Sequence, residues 1–541
     1  LIHGVAYNAE IHSARIGEGP YVYISMAADV AEEMADNGVI VANLSANSTY
    51  DNFFIGNVDG YDGYSTVNDG TNNYYYHTNT SYNLRQNSDV IEWKDATDKG
   101  MIIVNSAGND GIEFAAEPGI YTTAVDSNGD LILSGRMIIV GSVNNNGTMS
   151  VWSNKAGHFC QTVTKDNNNN VTGCADVYET KNYYIVAPGE TINSLDSDSD
   201  TDTQVRSGTS MAAPHVTGAI AILKQAWPQL NADQIISLLF TTATDLGAPG
   251  IDEVYGNGML NLDAATNPQG TSTISNSSGT ANLSGTSMMT SSTVGDSLSS
   301  ISAFDSTMIV DSYNRDYYVD LNQAVIKNDN ALTLNHNFKS FSGMQEINYN
   351  GYTIGVNDRN TNNISLGFNQ GTCGYTLGNM EELNSFLGTG GSGALELGNS
   401  TTQYVGINCN KEGLIFKYDV GYSNINGTSN SIITNGNAVS DTWTLGFAKN
   451  DFTFTIGQPL AVRNGSLNVD LATSVNSNGS YNYSNYNVSI EPNNRQTTAM
   501  LGWNKDITDN IDFNFNIGYN NNYANSDGDT WNASTGLKYE F

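Results

Sequence analysis

The chain has 541 residues, enough for two or more domains with substantial cores, and a net charge of −34. Its sequence pI near 4.2 leaves no basic surface to neutralise phosphates, which excludes nucleic acid and disfavours other anionic partners. Charged residues make up only 14% of the chain while Asn, Ser, Thr and Gly abound, a polarity without charge that suits exported and surface-exposed β proteins.

In chain order, Leu1-Ile2-His3-Gly4-Val5-Ala6 already reads as the middle of a domain. Ser25 to Gly38 is a helical pattern carrying Met26, Val30 and Met34, and Val39 to Ser45 (VIVANLS) follows as a buried parallel strand. Residues 48–87, rich in Tyr, Asn and Gly and including Tyr74-Tyr75-Tyr76, read as an elaborated surface loop. Gly100 to Val104 opens the next strand and leads into Ser106-Ala107-Gly108-Asn109-Asp110-Gly111, a glycine-flanked turn. Asn109 there is a neutral amide, able to donate to a developing anion without titrating.

Met137 to Val143, Val151 to Asn154 and Ile185-Val186-Ala187-Pro188-Gly189 follow as further strand and turn segments. Cys160 and Cys174 form one local pair and Cys373 and Cys409 another. Four cysteines allow three pairings or free buried thiols, and no CxxC or Cys/His spacing suggests zinc. Asp196, Asp198, Asp200 and Asp202 alternate in a loop. Alternating oxygen ligands can wrap Ca²⁺, but the glycine and terminal glutamate of an EF-hand are missing, so a solvated acidic loop is the preferred reading, with Ca²⁺ as the alternative.

Arg206 to Lys224 (RSGTSMAAPHVTGAIAILK) is the most informative stretch. The turn Ser207-Gly208-Thr209 delivers Ser210 to the first turn of a helix whose Val216, Ala219, Ile220, Ile222 and Leu223 recur at helical spacing. Unpaired N–H groups and the positive end of the dipole favour an anion there, so Ser210 is the candidate nucleophile. His215, five residues along the same helix, points to another face and reads as a packed structural residue. A helix from Asn231 to Thr242, opened by Asn231-Ala232-Asp233-Gln234, and the turn Gly256-Asn257-Gly258 complete this half.

The nonapeptide Gly208-Thr209-Ser210-Met211-Ala212-Ala213-Pro214-His215-Val216 resembles the nucleophile motif of the subtilisin-like serine peptidases, the S8 family. The resemblance covers about half the chain. It implies an α/β domain over residues 1–265, a parallel sheet flanked by helices, with Ser210 as nucleophile. Residues 106–111 are similar to the family's oxyanion-asparagine segment, which makes Asn109 the implied oxyanion donor. Ser45-Ala46-Asn47 stand where the family has Ser-Leu-Gly and, with Ala107 and Gly108, are the implied substrate-binding residues; Asn47 departs from the glycine. No DTG-type or HGTHVAG-type string occurs. His3 lacks the pattern that would follow it, so the catalytic Asp and His are expected upstream of Leu1, and a truncated chain is expected to be inactive by itself.

Residues 266–300 shift to Ser, Thr, Gly and Asn and read as a linker rather than a domain. Over 301–541 the period becomes two: Leu414, Phe416, Tyr418, Val420 and Tyr422 alternate with polar or small residues. So do Trp443, Leu445 and Phe447, then Phe452, Phe454 and Ile456, then Ile511, Phe513, Phe515, Ile517 and Tyr519. These are antiparallel strands of an all-β domain joined by short turns such as Lys449-Asn450-Asp451; the alternation fits a barrel or a soluble sandwich, and the barrel is preferred for what the terminal Phe541 resembles. The ending at Phe541 resembles the assembly signal of outer-membrane barrels, and Val310 to Leu321 and Ile456 to Leu460 resemble the C-terminal β region of subtilisin-like autotransporters. These resemblances together imply a serine endopeptidase of the bacterial cell envelope. Its partners would be protein or peptide substrates and the outer membrane, it would sit there or be secreted to the surface, and it would need no cofactor and no metal. The alternative is a catalytically inactive surface passenger acting in binding or adhesion.

Overall fold

The computed structural model describes residues 4–6, 8–18, 21–22, 24–45, 64–68, 73–77, 88–115, 121–196, 201–328, 332–335, 337–357, 363–508 and 511–539. They divide into two units, Leu1–Asn267 and Pro268–Phe541.

In the first unit, strands β1 (Val41–Leu44), β2 (Ile102–Ser106), β3 (Met137–Val143) and β4 (Tyr184–Pro188) pair in the order β4-β3-β2-β1, each pair parallel. A parallel sheet covered by helices must be apolar along its strands, and β2 and β3 are buried at every residue. Helices α1 (Ile24–Asp36) and α2 (Ser88–Asp98) pack together through Ala27, Ala28, Ala31, Trp93 and Ala96 against Ile103 and Met137. Helix α3 (Thr209–Ala226) lies across all four strands, and its Ala212, Ala213, Val216, Ala219, Ile220 and Leu223 are wholly buried. Small residues let it approach the sheet closely. Helix α4 (Ala232–Thr242) begins on a reciprocal cap between Asn231 and Gln234.

The Tyr-rich insertion, expected as a loop, contains a hairpin in its described part. Tyr64–Asn68 pairs with Asn73–His77, and Tyr75 and Tyr76 sit opposite Phe159 and Cys160 of a second hairpin, Phe159–Lys165 with Val171–Tyr178. Cys160–Cys174 staples that second hairpin, and the other two cysteines join as Cys373–Cys409. β-branched and aromatic residues in both segments support strand pairing that loop composition obscured.

Residues 266–300 are not a linker. Thr273–Asn276, Gly279–Asn282 and Ser287–Thr290 are strands of the second unit, and Ile274, Ala281, Met288, Val294 and Leu298 belong to its core. Few apolar residues suffice because short strands need only one buried side chain in two.

The second unit is dominated by one antiparallel wall. Its strands are β5 (Gln345–Tyr349), β6 (Tyr352–Val356), β7 (Ile364–Gln370), β8 (Cys373–Glu382), β9 (Leu397–Lys411), β10 (Leu414–Gly427), β11 (Ile433–Lys449), β12 (Phe452–Val475), β13 (Thr497–Thr508), β14 (Ile511–Asn521) and β15 (Thr530–Tyr539). They pair in sequence order, with Tyr481–Ser489 added to β12. Two-residue turns at one end include Asn350-Gly351 and Glu412-Gly413, where both residues have positive φ as a type I′ hairpin requires. No ladder joins β5 to β15 among the described residues. Phe338, in the helical turn Phe338–Ser342, stacks on Tyr404 with ring centroids 5.0 Å apart and marks one face of the wall as inner. A side chain at Gly421 would collide with Phe338, which explains that glycine.

The expected motif around Asp311 to Arg315 is a buried ion pair. Arg315 Nε and Nη2 donate to Asp311 Oδ2 at 3.0 and 2.7 Å, and both side chains are fully buried. The same oxygen accepts the Gln269 N–H at 3.0 Å, while Oδ1 accepts those of Tyr313 and Arg315, so one carboxylate ties the entry of the chain into this unit to the 311–315 turn. Arg315 is flanked by the rings of Tyr313 and Tyr317 at 5.7 and 5.5 Å. Arg315→Met should lose about 3–5 kcal/mol of stability by leaving a buried charge unpaired. The double variant Asp311→Asn/Arg315→Met should lose less. Denaturant unfolding checks both; a loss for the single variant no larger than for the double would refute this role.

Candidate active site

Ser210 stands in the first turn of α3, half-buried, with Gly208 as the N-cap. The loop that delivers it is held tightly. Gly208 N–H donates to Gly189 O at 2.9 Å, and the Ser207 hydroxyl accepts from Thr191 N at 2.9 Å. A Cβ at Gly189 would lie 2.3 Å from Ser142 Oγ and 2.7 Å from Gly208 O, so only glycine permits this approach.

Asn109 sits at the end of the turn after β2. Its Oδ1 accepts both the Thr209 N–H, at 2.9 Å, and the Thr209 hydroxyl, at 3.0 Å. A backbone N–H can bond only the amide oxygen, so this contact fixes which way the amide faces. Both donors of Nδ2 are left on an exposed side chain beside the residue that precedes Ser210 in the chain. The Thr209 hydroxyl also accepts the Gly108 N–H at 3.2 Å, and Gly108 itself has φ +103. The turn is held from below by Asn154, which is 3% exposed. Its Nδ2 donates to Ala107 O at 3.0 Å, its Oδ1 accepts from Asp110 N at 3.0 Å and Ile112 N at 3.3 Å, and its own N–H donates to Gly108 O.

Ser45 closes the other side. Pro214 lies inside α3 and has no N–H, so the carbonyl four residues earlier, that of Ser210, lacks its helical donor. Ser45 Oγ supplies one at 3.0 Å, while Ser210 Oγ donates to Ser45 O at 3.3 Å. Asn43 Nδ2 donates to Ser45 Oγ at 2.9 Å, and the Thr217 hydroxyl donates to Asn43 Oδ1 at 3.2 Å, so the chain of bonds runs from β1 back to α3.

The structure thus brings Ser210, Asn109, Ala107, Gly108 and Ser45 together. Ala46, Asn47 and His3 lie outside the described residues, as do Asp198 and Asp200. His215 turns back on its own helix, Nδ1 lying 2.9 Å from Met211 O, away from Ser210. Among the described residues no cluster of His, Cys, Asp and Glu could hold a metal ion. Thr209, Pro214 and Asn154 escaped the sequence reading as site residues: the first two lie inside the nucleophile motif, where their roles could have been sought, while nothing local marks Asn154.

Residues 1–258 match the subtilase family. An extracellular serine protease of Serratia marcescens is 58% identical over 62 residues, which cover 12% of this chain and 6% of that protein. Subtilisin BL of Lederbergia lenta is 27% identical over 264 residues, covering 49% and 70% of the two chains. Among solved structures, the epidermin leader peptide processing serine protease of Staphylococcus aureus shares 19% identity over 48% of this chain and 58% of its own, with a TM-score of 0.31. The chain therefore spans a small fraction of the first of these curated relatives and about two thirds of the second.

Ser45→Ala should cost about 1 kcal/mol by leaving the Ser210 carbonyl without its donor. In a Pro214→Ala background the restored N–H can take that carbonyl, so the same change should cost clearly less. A double-mutant cycle by urea unfolding measures the difference; equal costs in the two backgrounds would remove the proposed link.

Proposed function

From the premise that residues 1–258 belong to the subtilase family, we propose that the protein is a serine endopeptidase of the bacterial cell envelope acting on protein or peptide substrates. The observation that supports this is the Asn109 amide, whose oxygen accepts from Thr209 N and Oγ1 and so leaves its N–H groups to donate elsewhere. Ser210 Oγ attacks the scissile carbonyl, and the negative charge that develops on its oxygen is met by Asn109 Nδ2 and the Ser210 N–H. Donors fixed before the charge forms require no reorganisation at the moment of reaction. Attack also needs a base. Among the described residues the Ser210 hydroxyl is bonded to Ser45 O, not to a histidine. A cavity of about 880 Å³ lies between β1, α1 and α3, bordered by Asn43, Leu44, Pro214 and Thr217. Ser45, Ala107 and Gly108, with Ala46 and Asn47, would form the walls that hold the substrate backbone.

The second unit anchors the enzyme in the outer membrane. No helix among the described residues is long and apolar enough to cross a membrane, which says nothing about strands. The faces of the wall do speak to it. Its outer face exposes Ile347, Leu366, Leu414, Phe416, Leu445, Phe452, Phe454 and Trp531, the last at 73%. Its inner face at the same level is small or polar, as at Gly367, Thr376, Gly406, Thr444, Thr455 and Asn516, with the charged Lys417 and Asp419 beside them. A soluble sandwich buries its apolar face and wets its polar one; this arrangement is the reverse and matches a barrel in lipid.

In the whole protein, Asn109→Ala should lower kcat by about 10²–10³, roughly 3–4 kcal/mol, with little change in KM. Steady-state kinetics on a peptide substrate measure it, and an unchanged kcat in a folded variant would take Asn109 out of the mechanism.

A further inference from the structure

The strands of the second unit exchange the character of their two faces part-way along. In β10 the outer positions run Leu414, Phe416, Tyr418, Val420, Tyr422 and then Asn424, Asn426. The inner positions run Lys417, Asp419, Gly421, Ser423 and then Ile425, which is 1% exposed. In β11, reading from its end backwards, outer Phe447, Leu445 and Trp443 give way to Asn437 and Asn435, while inner Gly446, Thr444 and Thr442 give way to Ala438. In β12, outer Phe452, Phe454 and Ile456 are followed by Asn464, Ser466 and Asn468, and inner Thr453, Thr455 and Gly457 by Val462, Leu467, Val469 and Leu471, all buried.

The three exchanges fall at one level. Tyr422 faces Val439 and Val420 faces Asp441, and the β11–β12 register shifts between Val439 and Ser440 and again between Asp441 and Trp443. Asp441, on the outer face yet buried, is bonded to Arg495 and lies 3.7 Å from Arg463. At the short-turn end the outer face carries Lys411, Lys449 and Lys505. Between these two charged levels the outer face of β10 to β14 has no charged side chain. Above the upper level the outer face is a ladder of amides, with Asn468 Nδ2 donating to Asn435 Oδ1 at 2.6 Å and Asn487 Nδ2 to Asn468 Oδ1 at 3.0 Å. The inner face there packs on Val294, Leu298, Ile301, Phe304, Phe386 and Leu395 in a single apolar core.

We propose that a lipid bilayer covers only the part of the wall between the lysines and the Trp443–Tyr422 level, and that beyond it the same strands stand in water around an apolar core. This rests on the membrane reading given above. Leu414 to Tyr422 spans about 26 Å of extended chain, or about 20 Å of height at the ~40° tilt of such strands, close to the apolar band of outer-membrane barrels. The uncharged belt matches hydrocarbon, and the lysine rim matches anionic headgroups. Rows of asparagine in hydrocarbon would carry a heavy desolvation cost, and in water they carry none.

The test places single cysteines in the full chain at Phe416, Leu445 and Phe454 and at Asn424, Asn437 and Asn468, and exposes the membrane-inserted protein to a charged maleimide. The native cysteines are all in disulfides and stay silent. The asparagine positions should label, and the belt positions only after detergent dissolves the membrane. Protection of both sets would overturn the exchange of faces while leaving the membrane reading intact; labelling of both sets would overturn the membrane reading itself. Hydroxyl-radical footprinting of the unaltered protein gives the same answer without substitutions. Tyr483 and Tyr486 on the upper strand and Phe416, Phe447 and Phe454 in the belt are similarly exposed, at 38 to 49%, so only lipid can protect the second group. Equal modification of the two groups would refute the proposal.

Discussion

The contact between Thr209 and Asn109 joins the start of α3 to the end of β2, and the site depends on it. A helix packed on a parallel sheet must begin near the strand ends, and its first N–H groups have no helical partners. Here one of those groups is satisfied by the amide oxygen of a residue from the neighbouring turn. The same bond that relieves a helix terminus therefore fixes which way the Asn109 amide faces. Asn154 beneath the turn and Gly189 behind the loop limit how far either partner can move.

Pro214 acts in the complementary sense. It removes a hydrogen bond from the helix, and the carbonyl so released is taken by Ser45, the residue that follows the edge strand β1. Ser210, Asn109 and Ser45 are thus linked by backbone requirements, not by side-chain packing alone. This accounts for much of the motif: Gly208, Thr209, Ser210, Ala212, Ala213 and Pro214 are each constrained by a neighbour, a helix start, burial or a missing donor.

Much of this was legible beforehand, for physical reasons. The buried strand, the glycine turn and the Ala-rich helix each carry a local signature, and so does the period of two from Leu414 onward. What was not legible depended on long-range pairing. Residues 273–290 look like a linker because Ser, Thr, Gly and Asn dominate, yet their few apolar side chains meet a core supplied by β11 and β12. The insertion after Ser45 conceals a hairpin whose partner lies some eighty residues further on, as Tyr76 opposite Cys160 shows. Asn154 is an unremarkable residue in sequence and a central one in space. The alternation in the second unit revealed strands but not which face was outward, since that is decided by where Phe338 and the 294–304 segment pack.

The central claim is that Ser210, set between Asn109 and Ser45, is the nucleophile of an acyl-transfer enzyme. The most direct measurement is mass-spectrometric mapping of a fluorophosphonate adduct on the whole protein, where fluoride leaves and a phosphonyl group bonds to the attacking oxygen. A single adduct on Ser210 is the predicted result. A folded protein with no adduct, or with one on another residue, would contradict the account and leave the first unit as a binding module.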